Sequence, residues 1–264
     1  MARAKRHYIP GYIWHITHRC HKREFLLKVS KDRHRYLKWL YQARKRYGLT
    51  ILNYMVTSNH IHLRVADTRT RDVIPKSMQL VAGRTGQEYN QRKERKGAYW
   101  EDCYHATAIA SGDHLARCMV YIDTNMVRAG VVSHPSRWSF CGYNEIQEPR
   151  RKNRLIDYEM LQRLIGSRTY DELRSNHRGW IEEYLGNGVK GRQDEWTESI
   201  AVGSRPFIEN MKALLGYRAR GRHVIEGTEA YHLREGAAQY KALFGAEKED
   251  IGPENSYFWD VNAE

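Results

Sequence analysis

The stretch of residues 59–65, Asn-His-Ile-His-Leu-Arg-Val, constrains the fold of this chain more than any other. Polar and apolar residues alternate along it, and a period of two is typical of a β-strand. His60, His62 and Arg64 are therefore expected on one face of the strand, with the intervening apolar side chains on the other. The sequence thus predicts two imidazole rings side by side on a rigid element.

The segments around this strand predict an alternation of strands and helices. Strand patterns occupy residues 12–19, 50–56 and part of 104–109, and helical spacing of apolar residues occupies 32–47, 75–89 and 113–130. A short turn at residues 57–59 makes the second and third strands a hairpin. This order predicts an α+β sandwich, with helices packed on an antiparallel sheet.

The composition changes after Trp138, and residues 148–154 form a charged stretch that we interpret as a linker. We predict a first domain over residues 1–147 and a mainly helical second domain over residues 155–264. Its helices are expected at residues 157–165, 169–185, 207–215 and 229–244. Residues 199–222 could form a helix-turn-helix that binds DNA, or the helices could form a plain bundle against the first domain.

The charge of the chain favours nucleic acid as a partner. The net charge is +13, and residues 1–50 carry fourteen Lys and Arg against two acidic residues. Such an excess attracts a polyanion, although a merely basic surface is the alternative. We see no signal peptide, lipid anchor or run of about 18 apolar residues, so we expect a cytoplasmic protein without a membrane partner. The spacing of the four cysteines predicts reduced thiols.

Candidate functional residues also lie on the predicted helix over residues 113–130. Tyr121 and Asn125 are four residues apart, so they share one face, and Tyr121 lies on the flank of the apolar stripe, which favours exposure to a groove. Neutral imidazoles bind divalent cations, and the carbonyl oxygen of Asn125 could add a third ligand to His60 and His62. Two imidazoles, a carboxamide and a phenol suggest a metal-assisted nucleophile.

A tyrosine nucleophile would need assistance. With an unperturbed pKa near 10, only on the order of one phenol in a thousand is ionised at neutral pH. A cation could polarise the scissile phosphate while a basic groove holds the strand in line. Attack by the phenol would conserve the energy of the broken phosphodiester in a phosphotyrosine link, so that the strand could later be rejoined.

These motifs resemble those of the single-tyrosine HUH transposases, and especially the REP-associated tyrosine transposases. The likeness covers about residues 5–145 and rests on residues 59–62, 97–104, 121–132 and 138–139. The family's histidine-hydrophobic-histidine motif matches residues 60–62, its nucleophile matches Tyr121, and its helix-borne third ligand matches Asn125. One departure is Met126, where relatives usually have proline, which changes helix rigidity more than chemistry.

The resemblance implies a ferredoxin-like catalytic domain that uses Mg²⁺ or Mn²⁺ to cleave and rejoin single-stranded DNA near REP-like hairpins. The products would be a 5′-phosphotyrosine and a free 3′-hydroxyl. Ligand chemistry alone would also admit zinc at a two-histidine site. The DNA contacts that we expect are basic and aromatic side chains: Arg19, Lys22, Arg23, Arg64, Arg128 and Trp100. The sequence leaves open whether the protein is a monomer or a homodimer.

Two other functions compete with this one. The first is a domesticated, non-catalytic nucleic-acid-binding protein of the same fold, and retention of all four site residues argues against it. The second is a metal-dependent hydrolase that activates water, for which we find no further set of histidines and carboxylates. His15 and His18 lie on opposite faces of the first strand, so at most one could approach the site, and we expect a surface or core role for both.

Overall fold

The computed structural model describes residues 9–189, 191–227 and 230–235. The N-terminal part contains four strands and two long helices in the order strand, helix, strand, strand, helix, strand. These elements are β1 (Ile13–Arg19), α1 (Ser30–Tyr47), β2 (Thr50–Val56), β3 (His60–Ala66), α2 (Val73–Arg92) and β4 (His105–Ile109). Their strands lie in the order β2-β3-β1-β4 with antiparallel neighbours, which is the ferredoxin-like arrangement.

Local chemistry sets the bounds of these elements. Helix α1 ends at Gly48, whose φ of 72° is left-handed and is easily adopted only by glycine. Between β2 and β3, the Thr57 hydroxyl donates to the His60 carbonyl over 2.8 Å and closes the tight turn that was predicted there. The sheet therefore fixes the backbone of His60 at the first position of a hairpin strand.

The alternation along β3 is confirmed. Ile61, Leu63 and Val65 are fully buried on one side of the strand, and the rings of His60 and His62 lie on the other with centroids 5.0 Å apart. A further helix, α3 (Asp113–Asp123), covers this second side, where its Leu115 carbonyl accepts a hydrogen bond from Arg64. The histidines are thus enclosed between the sheet and α3.

The predicted helix over residues 113–130 is interrupted. Helix α3 ends at Asp123, and a short helix, α4 (Asn125–Arg128), follows after Thr124, whose ψ of 5° departs from the helical value. The Thr124 hydroxyl donates to the Val120 carbonyl over 2.7 Å, and such a side-chain bond competes with the helix ladder and bends the chain. Tyr121 and Asn125 therefore lie on two consecutive helices rather than on one.

Helix α5 (Gly142–Gln147) is the last helix of the N-terminal part. The C-terminal region contains the helices α6 (Tyr158–Ile165), α7 (Tyr170–Gly186), α8 (Glu195–Glu198) and α9 (Arg205–Leu215). The N-cap predicted for α7 is present, since Thr169 Oγ1 accepts from the Glu172 backbone N–H. The Glu172 side chain accepts from the backbone N–H of Arg168, one residue before the position that a capping box requires.

The same region also contributes three strands that were not predicted: β5 (Ala201–Gly203), β6 (Arg222–Glu226) and β7 (Tyr231–Glu235). They extend the sheet to the order β2-β3-β1-β4-β5-β7-β6, with β5 parallel to β4. The helix-turn-helix prediction is therefore wrong, and so is the helix prediction where it covers residues 231–235; residues 236–244 of that helix lie outside the described residues. Because these strands are only three to five residues long and gain their partners from distant segments, local periodicity did not reveal them.

The fold class is a mixed α+β structure with a mostly antiparallel sheet, as predicted. The division into two domains near residue 150 stays a prediction, although β5 is hydrogen-bonded directly to β4 of the N-terminal part. Within the described ranges, no helix is both long enough and apolar enough to cross a membrane.

Candidate active site

Four predicted site residues converge between the sheet and the two consecutive helices. His60 and His62 project from β3, and the amide nitrogen of Asn125 on α4 lies 3.1 Å from His62 Nε2. The ring of Tyr121, near the end of α3, has its centroid 6.0 Å from that of His62. The structure thus brings together the two imidazoles, the carboxamide and the phenol.

Hydrogen bonds orient the ring of His60. Its Nδ1 lies 2.7 Å from Asn59 Oδ1 and 3.0 Å from Thr57 Oγ1. An amide oxygen only accepts, so Nδ1 carries the proton and Nε2 keeps its lone pair. This tautomer presents Nε2 as a potential metal ligand.

The electrostatic environment keeps the imidazoles neutral. Burial, assisted by the charge of Arg19 and other nearby arginines, lowers the pKa of His60 to about 4. Burial also lowers the pKa of His62 well below its usual value of 6.5, and the neighbouring His60 adds to the effect. Neutral imidazole is the form that binds a metal ion, so both rings are ready to act as ligands at neutral pH.

Tyr121 is enclosed rather than open to a groove. Its side chain is 4% exposed, and the ring of Trp196 from α8 lies 6.2 Å away between centroids. The Arg128 guanidinium lies 4.1 Å from the centre of the Tyr121 ring, and its Nη1 donates to the Tyr121 carbonyl over 2.8 Å. The prediction of exposure is therefore wrong, because the C-terminal region supplies a cover that the helix pattern could not indicate.

Burial raises the pKa of the Tyr121 phenol above its usual value of 10, and the positive charge of Arg128 opposes this shift. Desolvation disfavours phenolate, whereas a cation close to the ring favours it. A phenol in this position is protonated at neutral pH, so any reaction that uses it as a nucleophile depends on neighbouring positive charge.

The donor set fits a divalent cation. Across the described residues, no cluster of three His, Cys, Asp or Glu side chains could hold a metal ion, so a third protein ligand would have to come from another residue type. Asn125 meets this need, because a turn of its amide presents Oδ1 to the space beside His62 Nε2. Two imidazole nitrogens and one amide oxygen leave coordination positions for substrate oxygens.

Most of the predicted DNA-contacting cations are placed near the site. Arg19 pairs in register with His60 across β1 and β3, and its side chain is 40% exposed with an ion pair to Glu101 at 3.9 Å. Lys22 and Arg23 are exposed on the turn that follows β1. A row of accessible cations therefore extends from the His60 end of the sheet, and DNA contact by these residues stays a prediction.

Arg64 and Trp100 have other surroundings. Arg64 is fully buried and supports α3 through its bond to Leu115, so the prediction that it contacts DNA is corrected: a side chain without accessible surface cannot reach a phosphate. Trp100 stacks on His18 with centroids 4.1 Å apart and donates its indole N–H to the Ala82 carbonyl. Its packing against the fold is evident, and base stacking by its ring stays a prediction.

Three residues close to the site were given no part in it by the sequence analysis. His15 of β1 is fully buried with its Nε2 2.9 Å from His62 Nδ1, and Trp196 covers Tyr121. The charge of Arg192 is close enough to lower the pKa values of both His60 and Tyr121. Alternation allowed either His15 or His18 to approach the site, and the pairing of β1 with β3 selects His15. No local signal points to Trp196 or Arg192, which are more than 120 residues away from the histidine motif.

Comparisons with known proteins find similarity over part of the chain. Residues 9–125 match the family model described as transposase IS200 like. Two solved structures are similar to parts of the chain. A REP-associated tyrosine transposase bound to a REP hairpin is 19% identical, covering 55% of this chain and 84% of its own, with a TM-score of 0.47. A Deinococcus radiodurans R1 protein assigned as a transposase is 18% identical, covering 47% and 97%, with a TM-score of 0.33. None of the curated proteins matches the chain.

The matched segment contains β1 to β4, the histidine strand, Tyr121 and Asn125. The resemblance noted in the sequence is confirmed at this level. Residues 9–125 of this chain are therefore similar to the IS200-like transposases, and the match covers less than half of the chain.

Proposed function

We propose that this protein is a DNA transposase that cleaves and rejoins single-stranded DNA near hairpins, with Tyr121 as the nucleophile. His60, His62 and Asn125 would hold the divalent cation, Mg²⁺ or Mn²⁺. The observation that carries the proposal is the convergence of these four side chains in a segment that matches a transposase family model. The cytoplasm, where reduced cysteines and DNA occur together, is the proposed location.

The proposed reaction is a transesterification in two steps. The phenolic oxygen of Tyr121 attacks the scissile phosphorus, its proton is lost, and the 3′-oxygen leaves as a hydroxyl after gaining a proton. The product is a 5′-phosphotyrosine, and attack by another 3′-hydroxyl on that phosphorus restores Tyr121 and a phosphodiester. No water is consumed, so the energy of the bond is retained.

The residues of the chain have distinct parts in this reaction. Arg128 contacts the ring of Tyr121 and would stabilise negative charge on its oxygen as the proton leaves. Arg19, Lys22 and Arg23 would bind backbone phosphates beside the ligand set. A bound cation would polarise the phosphate oxygens and neutralise charge in the transition state. Because Tyr121 is 4% exposed, the side chains that cover it would have to move when DNA binds.

The test is the formation of a covalent adduct. We would incubate the full-length protein with end-labelled hairpin-bearing single strands and Mg²⁺, and separate the products on a denaturing gel. A 3′-labelled strand should yield a protein-linked band, and a 5′-labelled strand should yield a free fragment ending in a 3′-hydroxyl. Chelation by EDTA should remove both products.

Tyr121→Phe should lower adduct formation at least about 1,000-fold, since it removes only the attacking oxygen. Tyr36→Phe is a matched control, because Tyr36 is also buried and its hydroxyl makes no hydrogen bond in the part of the chain described. If Tyr121→Phe cleaves as well as the unaltered protein, Tyr121 is not the nucleophile. Binding of hairpin DNA with no adduct from the unaltered protein would support the non-catalytic alternative.

A further inference from the structure

A chain of hydrogen bonds leads from the C-terminal region to the histidine strand. The main-chain carbonyl of Trp196, on α8, lies 2.8 Å from His15 Nδ1. The other ring nitrogen of His15, Nε2, lies 2.9 Å from His62 Nδ1. All three residues are buried, and the rings of His15 and His62 are stacked with centroids 5.1 Å apart.

The direction of each bond follows from the first one. A carbonyl oxygen can only accept, so Nδ1 of His15 carries a proton and donates it to Trp196. His15 is fully buried, and burial disfavours a charged imidazolium, so the ring is neutral and its Nε2 has no proton. Nε2 therefore accepts, and the partner that donates must be His62 Nδ1.

This order fixes the chemical state of His62. With its proton on Nδ1, His62 keeps a lone pair on Nε2, the atom that faces the amide nitrogen of Asn125 at 3.1 Å. An amide N–H donates, so the environment on that side also requires a lone pair at Nε2. The hydrogen bonds on both sides of His62 thus require the same tautomer, and it is the one in which Nε2 can bind a metal ion.

We propose that His15 is a positioning residue that holds His62 in the Nδ1–H tautomer, so that Nε2 is directed at the cation site. The carbonyl of Trp196 orients His15 in turn, which makes a residue of the C-terminal region part of the support of the site. The proposal rests on the proposed function, because it takes His62 to be a metal ligand. Partners behind a metal-binding histidine fix its tautomer and ring angle and commonly change metal affinity about 10–100-fold.

Two substitutions separate the hydrogen bonds of His15 from its volume. His15→Phe keeps a flat ring but removes both ring nitrogens, whereas His15→Gln keeps one donor and one acceptor that can bridge the Trp196 carbonyl and His62. His18→Phe is the matched control, since His18 is a buried histidine of the same strand that stacks on Trp100 away from His62.

Mn²⁺ affinity is the first readout, measured on full-length protein by electron paramagnetic resonance of the unbound ion. We expect His15→Phe to raise the dissociation constant about 10–100-fold, His15→Gln to restore most of the affinity, and His18→Phe to leave it within about twofold. Unchanged affinity in His15→Phe would overturn the proposal. His60→Ala tests the proposed function separately: if it also leaves affinity unchanged, the cation site itself is misplaced.

The second readout is the tautomer of His62, which is measured on the folded protein without metal. Nitrogen-15 NMR of the imidazoles in metal-free, full-length protein at neutral pH distinguishes a protonated from an unprotonated ring nitrogen, and loss of a signal in His62→Gln assigns it. We expect His62 to carry its proton on Nδ1 in the unaltered protein and to shift towards the Nε2–H form in His15→Phe. A His62 that carries its proton on Nε2 in the unaltered protein would refute the inference, whatever the protein does with DNA.

Discussion

The guanidinium of Arg128 is the only cation that contacts the ring of Tyr121 among the described residues. It is held there by hydrogen bonds to the Tyr121 carbonyl and to Thr124 Oγ1, at 2.8 and 2.7 Å. The bend between α3 and α4 and the placement of this cation are thus linked, because the same side chain binds both sides of the bend.

Arg128→Gln should lower the rate of adduct formation about 10-fold. The substitution removes a cation that favours the phenolate of Tyr121, and a contact of this kind contributes about 1–2 kcal/mol when it is shielded from water. The rate is measured at saturating hairpin DNA, so that weaker binding does not contribute. Arg117→Gln, at an exposed position of α3, is the control. If the rate of adduct formation stays within twofold of that of the unaltered protein, the role of Arg128 is structural only.

At the scale of elements, α3 is anchored by a buried carboxylate. Asp123 Oδ1 accepts from Asn53 Nδ2 of β2 over 3.1 Å, and its Oδ2 lies 2.8 Å from His177 Nε2 of α7. These three residues are fully buried. Helix α3, which carries Tyr121, is therefore held between the sheet of the N-terminal part and a helix of the C-terminal region.

Asp123→Ala should reduce the free energy of unfolding by about 3–5 kcal/mol. It leaves the buried side chains of Asn53 and His177 without their shared partner, and the loss of one member of a buried polar pair is strongly destabilising. Urea unfolding measures the change. Asp113→Ala, at the exposed start of the same helix, should cost less than about 1 kcal/mol. Equal effects of the two substitutions would contradict the anchoring role of Asp123.

At the scale of the whole molecule, the buried histidines link folding to pH. The pKa of His15 is about 3 in the folded chain because of burial and the charge of Arg64, and about 6.5 in an unfolded chain. Between these values only the unfolded chain binds the proton. The free energy of unfolding is therefore unaffected by this group above pH 6.5 and falls as the pH drops towards 3.

The expected slope is about 1.4 kcal/mol per pH unit for each such histidine. His15→Gln should lower the slope of the unfolding free energy against pH by about 1.4 kcal/mol per pH unit between pH 6.5 and pH 4.5. Urea unfolding in the presence of EDTA measures this slope. His34→Gln, at an exposed position of α1, is the control. An unchanged slope in His15→Gln would show that His15 is protonated in the folded protein.

The C-terminal region stabilises the N-terminal part through main-chain bonds and one buried carboxylate. Ala108 and Ala110 donate to the carbonyls of Ile200 and Val202 over 2.8 and 3.0 Å. Glu145 of α5 is buried, and its Oε1 accepts from the backbone N–H of Leu155 over 2.6 Å. Both sets of bonds cross the boundary that the sequence predicts near residue 150.

A fragment of residues 1–147 should therefore unfold at a lower urea concentration than the full chain. Truncation exposes the free edge of β4 and leaves the Glu145 carboxylate without its backbone donors. Urea unfolding followed by circular dichroism compares the two proteins. A fragment that unfolds at the same urea concentration as the full chain would instead support two independent domains.

The sequence by itself determined the elements whose patterns are local. The period of two in β3, the hairpin before it and the Thr169 N-cap of α7 were all predicted, because each depends on residues within a few positions of one another. The choice of His60, His62, Tyr121 and Asn125 as candidates also came from the sequence, through residue chemistry and family resemblance.

Tertiary structure alone decided how the site is enclosed and supported. Trp196 covers Tyr121, His15 bonds to His62, and Arg64 turns into the interior instead of towards DNA. The strands β5 to β7 likewise exist through partners distant in the chain. Such contacts form because burial and hydrogen bonding bring remote segments together, and a short strand or a single side chain carries no periodic signal of the partner that it will meet.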